Sequence, residues 1–105
     1  MQSEKTLVSA PVHAVVIWDV RLSDGDWYYV FARSEKEALR IVIGTHYDDM
    51  RTREFRKEYR PTIRRIPDRE MILVNDEDRG QQKWTAKRWA KGERPGPFCS
   101  NTYEW

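Results

Sequence analysis

AVVIWDVRLSDGDWYYVFA, residues 14–32, decides the fold. Two apolar runs flank Asp24-Gly25, a pair that favours a two-residue type I′ turn between antiparallel strands. With Asp24 and Gly25 as the turn, Ser23 faces Asp26, Leu22 faces Trp27, Val20 faces Tyr29 and Trp18 faces Phe31. Side chains alternate along a strand, so Trp18, Val20, Leu22, Trp27, Tyr29 and Phe31 then share one apolar, aromatic face. The other face is mixed, with Val15, Ile17, Asp19 and Arg21 against Tyr28, Val30 and Ala32. A lone hairpin is marginal in water, so another element must cover the aromatic face.

The covering element follows at once. Ser34 and Glu37 form a capping box, the hydroxyl accepting from the Glu37 N–H and the carboxylate returning a bond to Ser34. Ala38, Leu39, Val42 and Ile43 then recur at helical spacing, and Gly44 is the expected stop. Residues 45–60 suit a second helix through Tyr47, Met50, Phe55 and Tyr59, or a shorter one capped by Thr52, with Pro61 ending either. Residues 62–66 read as extended. Met71-Ile72-Leu73-Val74 reads as a buried strand added to the hairpin, and residues 75–80 as a loop. Residues 85–91 read as a short helix capped by Thr85 and stopped by Gly92. The segments lack a regular βαβ alternation. The expected class is α+β, with a small, mainly antiparallel sheet built on the hairpin and one or two helices packed on one face.

At 105 residues the chain suits a single domain, residues 1–105, able to bury a core without disulfides or metal. Residues 1–12 read as a loosely ordered leader in which Leu7 and Val8 could form a short edge strand. Residues 93–105 read as an irregular aromatic tail, in which Phe98, Tyr103 and Trp105 either fold back on the sheet or enter a partner. No apolar stretch is long enough to cross a bilayer, and no signal-peptide core follows the N-terminus. Cys99 is the one cysteine, which favours a reducing, cytoplasmic setting.

Charge is segregated. The formal net charge is +2, with 19 Lys and Arg against 17 Asp and Glu. Residues 51–69 carry eight basic and three acidic side chains, residues 70–78 four acids and no base, and residues 79–94 six bases and Glu93. Such blocks bear on partners rather than on fold.

Catalytic and metal motifs are weak. His13, His46 and Cys99 have no local zinc spacing. Asp48-Asp49 and Asp76-Glu77-Asp78 do not match an EF-hand and read as exposed acidic turns. The five glycines fit neither the Walker nor the dinucleotide fingerprint. Asp19 reads as a marker of the solvated face. An enzyme would have to use Asp19, His46 or Cys99. No catalytic residue, metal or cofactor is expected.

The basic blocks are interleaved with rings. Arg53, Arg56, Arg60 and Arg64 lie near Phe55 and Tyr59, and Arg88 lies with Trp84 and Trp89. These seven, Arg53, Arg56, Arg60, Arg64, Trp84, Arg88 and Trp89, are the expected partner-binding residues. Three readings share this composition: a protein interface, a single-stranded nucleic-acid surface, and a solvated face with Arg stems over rings. Glu54, Glu58 and Asp68 among the arginines, and a pI near 8.8, favour protein over nucleic acid.

The hairpin followed by S-x-x-E-A-L-x-I-V (residues 34–42) and W-x-x-G-x-x-P-G (residues 89–96) resembles small accessory proteins of phages and mobile elements. That resemblance implies a protein that binds and obstructs a host macromolecule, a nuclease or defence complex included. It carries over no individual site residue. The expectation is a non-enzymatic binding protein, with a nucleic-acid module as the alternative.

Overall fold

A computed structural model describes residues 14–76 and 78–101. The expected leader, His13, Glu77 and residues 102–105 lie outside the described residues. The described chain runs β1 (Val16–Arg21), β2 (Trp27–Ala32), α1 (Glu35–His46), α2 (Thr52–Tyr59), β3 (Thr62–Arg65), β4 (Met71–Asp76), β5 (Gly80–Thr85), α3 (Ala86–Ala90) and β6 (Gly96–Ser100). Four strands form an antiparallel sheet in the order β3-β1-β2-β6, and β4 with β5 forms a separate hairpin. The fold is α+β.

The founding hairpin forms, but one residue out of the expected register. Arg21 faces Trp27, Asp19 faces Tyr29 and Ile17 faces Phe31. The loop has three residues, not two. The Leu22 N–H donates to the Asp26 carbonyl at 2.8 Å, and the Gly25 N–H donates to the Leu22 carbonyl at 3.1 Å. Gly25 sits at φ +99°, the positive-φ position that closes a three-residue hairpin as a bulge. A slip of one residue turns every side chain of one strand to the opposite face. Val20 and Leu22 therefore share their face with Tyr28, Val30 and Ala32, not with Trp27, Tyr29 and Phe31.

Two cores follow, one on each side of the sheet. On the first, α1 supplies Ala38, Leu39, Val42 and Ile43 and α2 supplies Phe55. Ser34 accepts from the Glu37 N–H at 3.1 Å, whereas Glu37 accepts from the N–H of Arg33 at 2.7 Å rather than that of Ser34. The helix continues two residues past Gly44, to His46. The second helix starts at Thr52, with Arg51 as N-cap, and ends on Arg60 at φ +44° just before Pro61. Tyr47, Phe55 and Tyr59 form a ring triangle with centroids 4.9 Å apart on each side.

On the second side, Ile17 and Phe31 meet Ile66, Ile72 and Ala86. The run at residues 71–74 is not a buried strand of the main sheet. It pairs with β5, a strand not expected from the sequence, and Met71 and Leu73 are 47% and 54% exposed. A two-stranded hairpin laid on a sheet buries one face only, so Ile72 goes in and its neighbours go out. The short helix is capped as expected, Thr85 accepting from the Arg88 N–H at 3.2 Å. The segment expected to be irregular contains β6. It pairs with β2, with Phe98 as the extra residue of a bulge, and Phe98 stacks on Phe31 at 4.7 Å. Among the described residues no helix is long and apolar enough to cross a membrane.

Candidate partner-binding surface

The seven expected contact residues do not form one surface. Arg53 and Arg56 are exposed on α2, and Arg60 is exposed at its end. That helix packs on the first face of the sheet, whereas α3 packs on the second. The α2 arginines are thus separated by the sheet from Trp84, Arg88 and Trp89.

These last three do meet. The Trp84 and Trp89 rings lie 4.4 Å apart, and the Arg88 guanidinium carbon is 4.1 Å from the Trp84 centroid. The Trp89 indole N–H donates to the Ile72 carbonyl at 3.0 Å, and its ring packs on Phe98 at 5.2 Å. Both tryptophans are half-buried, and their rings serve the fold.

Arg64 belongs to a third group. It pairs with Glu70 at 3.3 Å and reaches Asp19 at 3.7 Å. Asp19, expected on a solvated face, is 3% exposed and also pairs with Arg21 at 3.0 Å. The carboxylates hold both guanidiniums still more firmly protonated: the Asp19 hydrogen bond is the main cause for Arg21, and the Glu70 bond for Arg64. Register places Arg64, Asp19, Tyr29 and Cys99 in one row across four strands. The acids balance the arginines there, so the row carries no net charge.

The catalytic alternatives are not assembled. His46 stacks on Tyr28, 4.9 Å away on the first face, while Cys99 lies beside Tyr29 on the second. Burial pushes the Cys99 thiol up to about 12. It is a protonated thiol at neutral pH, without the thiolate that nucleophilic attack requires. The described residues contain no group of three or more His, Cys, Asp or Glu placed to hold a metal ion.

What the second face does provide is a cleft of about 850 Å³ between the start of β1 and α3. Its floor is aliphatic: Val15, Ile17, Ile66, Ala86 and Ala90. Its rim carries Arg65, Lys87, Arg88 and Lys91, against Asp68 and Glu93. The walls are tied together by backbone bonds. The Ala86 N–H donates to the Glu70 carbonyl at 2.8 Å, and the Lys87 N–H to the Asp68 carbonyl at 3.1 Å. Of the expected residues only Arg88 lines it. Lys87 and Lys91 belong to the basic block beside Trp84 and Trp89, and Val15 to the hairpin's mixed face, but none of the three is among the seven expected contact residues. The available signal was Pro67, which halts β3 pairing just where the cleft opens.

No protein-family model, no curated protein and no solved structure matches this chain.

Proposed function

We propose that this chain is a non-enzymatic binding module that takes an acidic, partly apolar segment of another protein into the cleft beside α3. The observation that carries this reading is the aliphatic floor ringed by four basic side chains and two acidic ones. Apolar burial supplies affinity, and the net positive rim steers and orients an acidic partner. The volume falls within the range of ligand-binding clefts.

The same geometry favours protein over nucleic acid. Single-stranded nucleic acid uses free aromatic faces for base stacking. Here Trp84 carries Arg88 and Trp89, Trp89 is tied to Ile72 and Phe98, and the cleft floor has no ring. A single protonated thiol fits a reducing, cytoplasmic setting. A role in obstructing a host macromolecule, as in the phage accessory proteins this sequence resembles, would need no more chemistry than this.

The test is affinity capture from a lysate of the source cell, comparing the wild type with the Lys87→Glu/Lys91→Glu variant, with and without nuclease. The expected result is a protein captured by the wild type, retained after nuclease and lost with the variant. Capture that vanishes on nuclease treatment and falls linearly in log–log form with salt would establish the nucleic-acid reading instead.

A further inference from the structure

We infer that α2 is a second contact element, lying along the phosphate backbone of a nucleic-acid duplex. It stands on the opposite side of the sheet from the cleft and does not depend on what the cleft binds. Along the chain, Glu54 and Glu58 interrupt the basic run of residues 51–60. The helix sorts them. At about 100° per residue, Arg53, Arg56, Lys57 and Arg60 gather within an arc of about 100°, while Glu54 and Glu58 fall together on the neighbouring flank. Phe55 is buried beneath the helix and Tyr59 is half-buried, so both charged flanks turn outward, and all four cations are exposed. The helix dipole accounts for Arg56 and Lys57 in the last turn, but not for the rest of the stripe. Arg53 stands in the first turn, where the dipole disfavours a cation. Arg53 with Lys57, and Arg56 with Arg60, are like-charged pairs four apart, which repel. Arg60 holds the left-handed C-cap at φ +44°, a position glycine fills at least cost. Arg21, Arg33, Arg64 and Arg65 each have a carboxylate at 3.0–3.7 Å, whereas among the described residues none of the four stripe cations has an ion-pair partner.

The chemistry of the stripe selects its anion. Three of the four cations are arginines, whose planar forks match phosphate oxygens. The outer flank offers no ring on which a single-stranded base could stack, because Phe55 and Tyr59 are engaged in the triangle with Tyr47. Nor does it offer an apolar side chain to enter a bilayer. From Arg53 to Arg60 the stripe runs about 10 Å, a length along which a duplex presents about six phosphate charges. Contacts of this kind position a protein on the duplex without reading its sequence. The β1–β2 loop, which carries Asp24 and Asp26, is tied to the end of α2 by the Ser23 N–H, which donates to the Tyr59 carbonyl at 2.8 Å. Acids therefore border the stripe at that end and along one side, which makes the contact weak and salt-sensitive.

The test is fluorescence anisotropy of a short fluorescein-labelled DNA duplex of mixed sequence, titrated with the intact protein. Binding at low salt should weaken with a log–log salt slope of about −3 to −4, as four phosphate contacts require. Arg53→Gln/Arg56→Gln should weaken it about tenfold and take about 2 off the slope, while Arg53→Lys/Arg56→Lys keeps the slope. Arg60→Gly should weaken binding about threefold yet leave the melting temperature equal or higher, because glycine relaxes the cap; that separates a lost contact from a lost fold. Lys87→Gln/Lys91→Gln, across the sheet, should leave binding within about twofold. No binding of the duplex at low salt, or equal binding by Arg53→Gln/Arg56→Gln, overturns the inference. So does equal or stronger competition by polyglutamate or by phosphatidylserine vesicles at matched charge, which would give the stripe to an acidic protein or a lipid surface. Loss of duplex binding in Lys87→Gln/Lys91→Gln alone would move the duplex to the cleft rim, against both this inference and the protein reading of the cleft.

Discussion

The carboxylate of Asp19 accepts from Arg21 Nε on both oxygens, at 3.0 and 3.3 Å. The two residues sit two apart on one strand, and their burial is opposite: the Asp19 side chain is 3% exposed and that of Arg21 59%. The acid is held beneath its partners, with Arg64 closing the other side. Replacing it with a neutral amide removes charge-assisted bonds from a site with little water to replace them. Asp19→Asn should lower unfolding stability by about 1–3 kcal/mol, read from urea denaturation. Arg21→Ala should cost less, because half of its side chain is already solvated and Arg64 remains near the acid. Equal stability of Asp19→Asn and wild type would show that the buried pair contributes nothing net.

Gly25 closes the hairpin at φ +99°, a conformation L-residues rarely adopt. A Cβ there would meet no neighbour within 4 Å, so the penalty is backbone strain alone. Gly25→Ala should destabilise by about 1–3 kcal/mol without changing the fold. Deleting Ser23 is a sharper experiment. The two-residue loop Asp24-Gly25 would still set Leu22 opposite Asp26, so every cross-strand pair is kept, Tyr28, Val30 and Ala32 still face α1, and the deletion variant should unfold cooperatively, losing only the bond from the Ser23 N–H to the Tyr59 carbonyl.

Trp89 joins three elements through one ring: Ile72 on β4 by a hydrogen bond, Trp84 on β5 and Phe98 on β6 by ring contact. Trp89→Phe keeps an aromatic ring but leaves the Ile72 carbonyl without its donor. The expected loss is about 1–2 kcal/mol, visible as a fall in melting temperature. Arg88→Ala, which removes a contact with an indole face at the surface, should cost about 0.5–1 kcal/mol. A larger loss from Arg88→Ala than from Trp89→Phe would contradict this ordering.

Cys99 predicts the alkaline behaviour. Its thiol ionises near 9.0 when unfolded, and burial in the fold pushes it up to about 12. Between those values the folded chain binds more protons than the unfolded one, so stability is complete below pH 9 and declines as pH rises from 9 towards 12. Tyr47 acts in the same sense above pH 10, raised mainly by burial and further by its 3.0 Å hydrogen bond with Tyr28. Urea midpoints at pH 7, 9 and 10.5 should fall monotonically above 9, and Cys99→Ala should flatten part of that fall. Iodoacetamide at pH 8 should label the folded protein far more slowly than the urea-unfolded one. Labelling at equal rates would place the thiol in solvent.

What sequence alone determined is local. Asp24-Gly25 marks the hairpin, Ser34 and Thr85 cap their helices, and residues 38–43 carry the stripe that α1 buries. Each feature acts within four or five residues, so the chain states it directly. The tertiary structure decided everything that depends on partners far along the chain. One extra loop residue reversed the face of β2. Burial on a single side sent residues 71–74 to a hairpin with β5, and pairing with β2 made residues 96–100 a strand. The site was legible in the basic block that holds Lys87, Arg88 and Lys91, although of the seven expected contact residues only Arg88 lines the cleft. Charge order along the chain says nothing about which side of a sheet an arginine reaches, so the α2 arginines and α3 separated, and the cleft appeared where Pro67 turns the chain away from Val15. Packing and pairing across dozens of residues set those placements, and only the folded molecule brings such groups into contact.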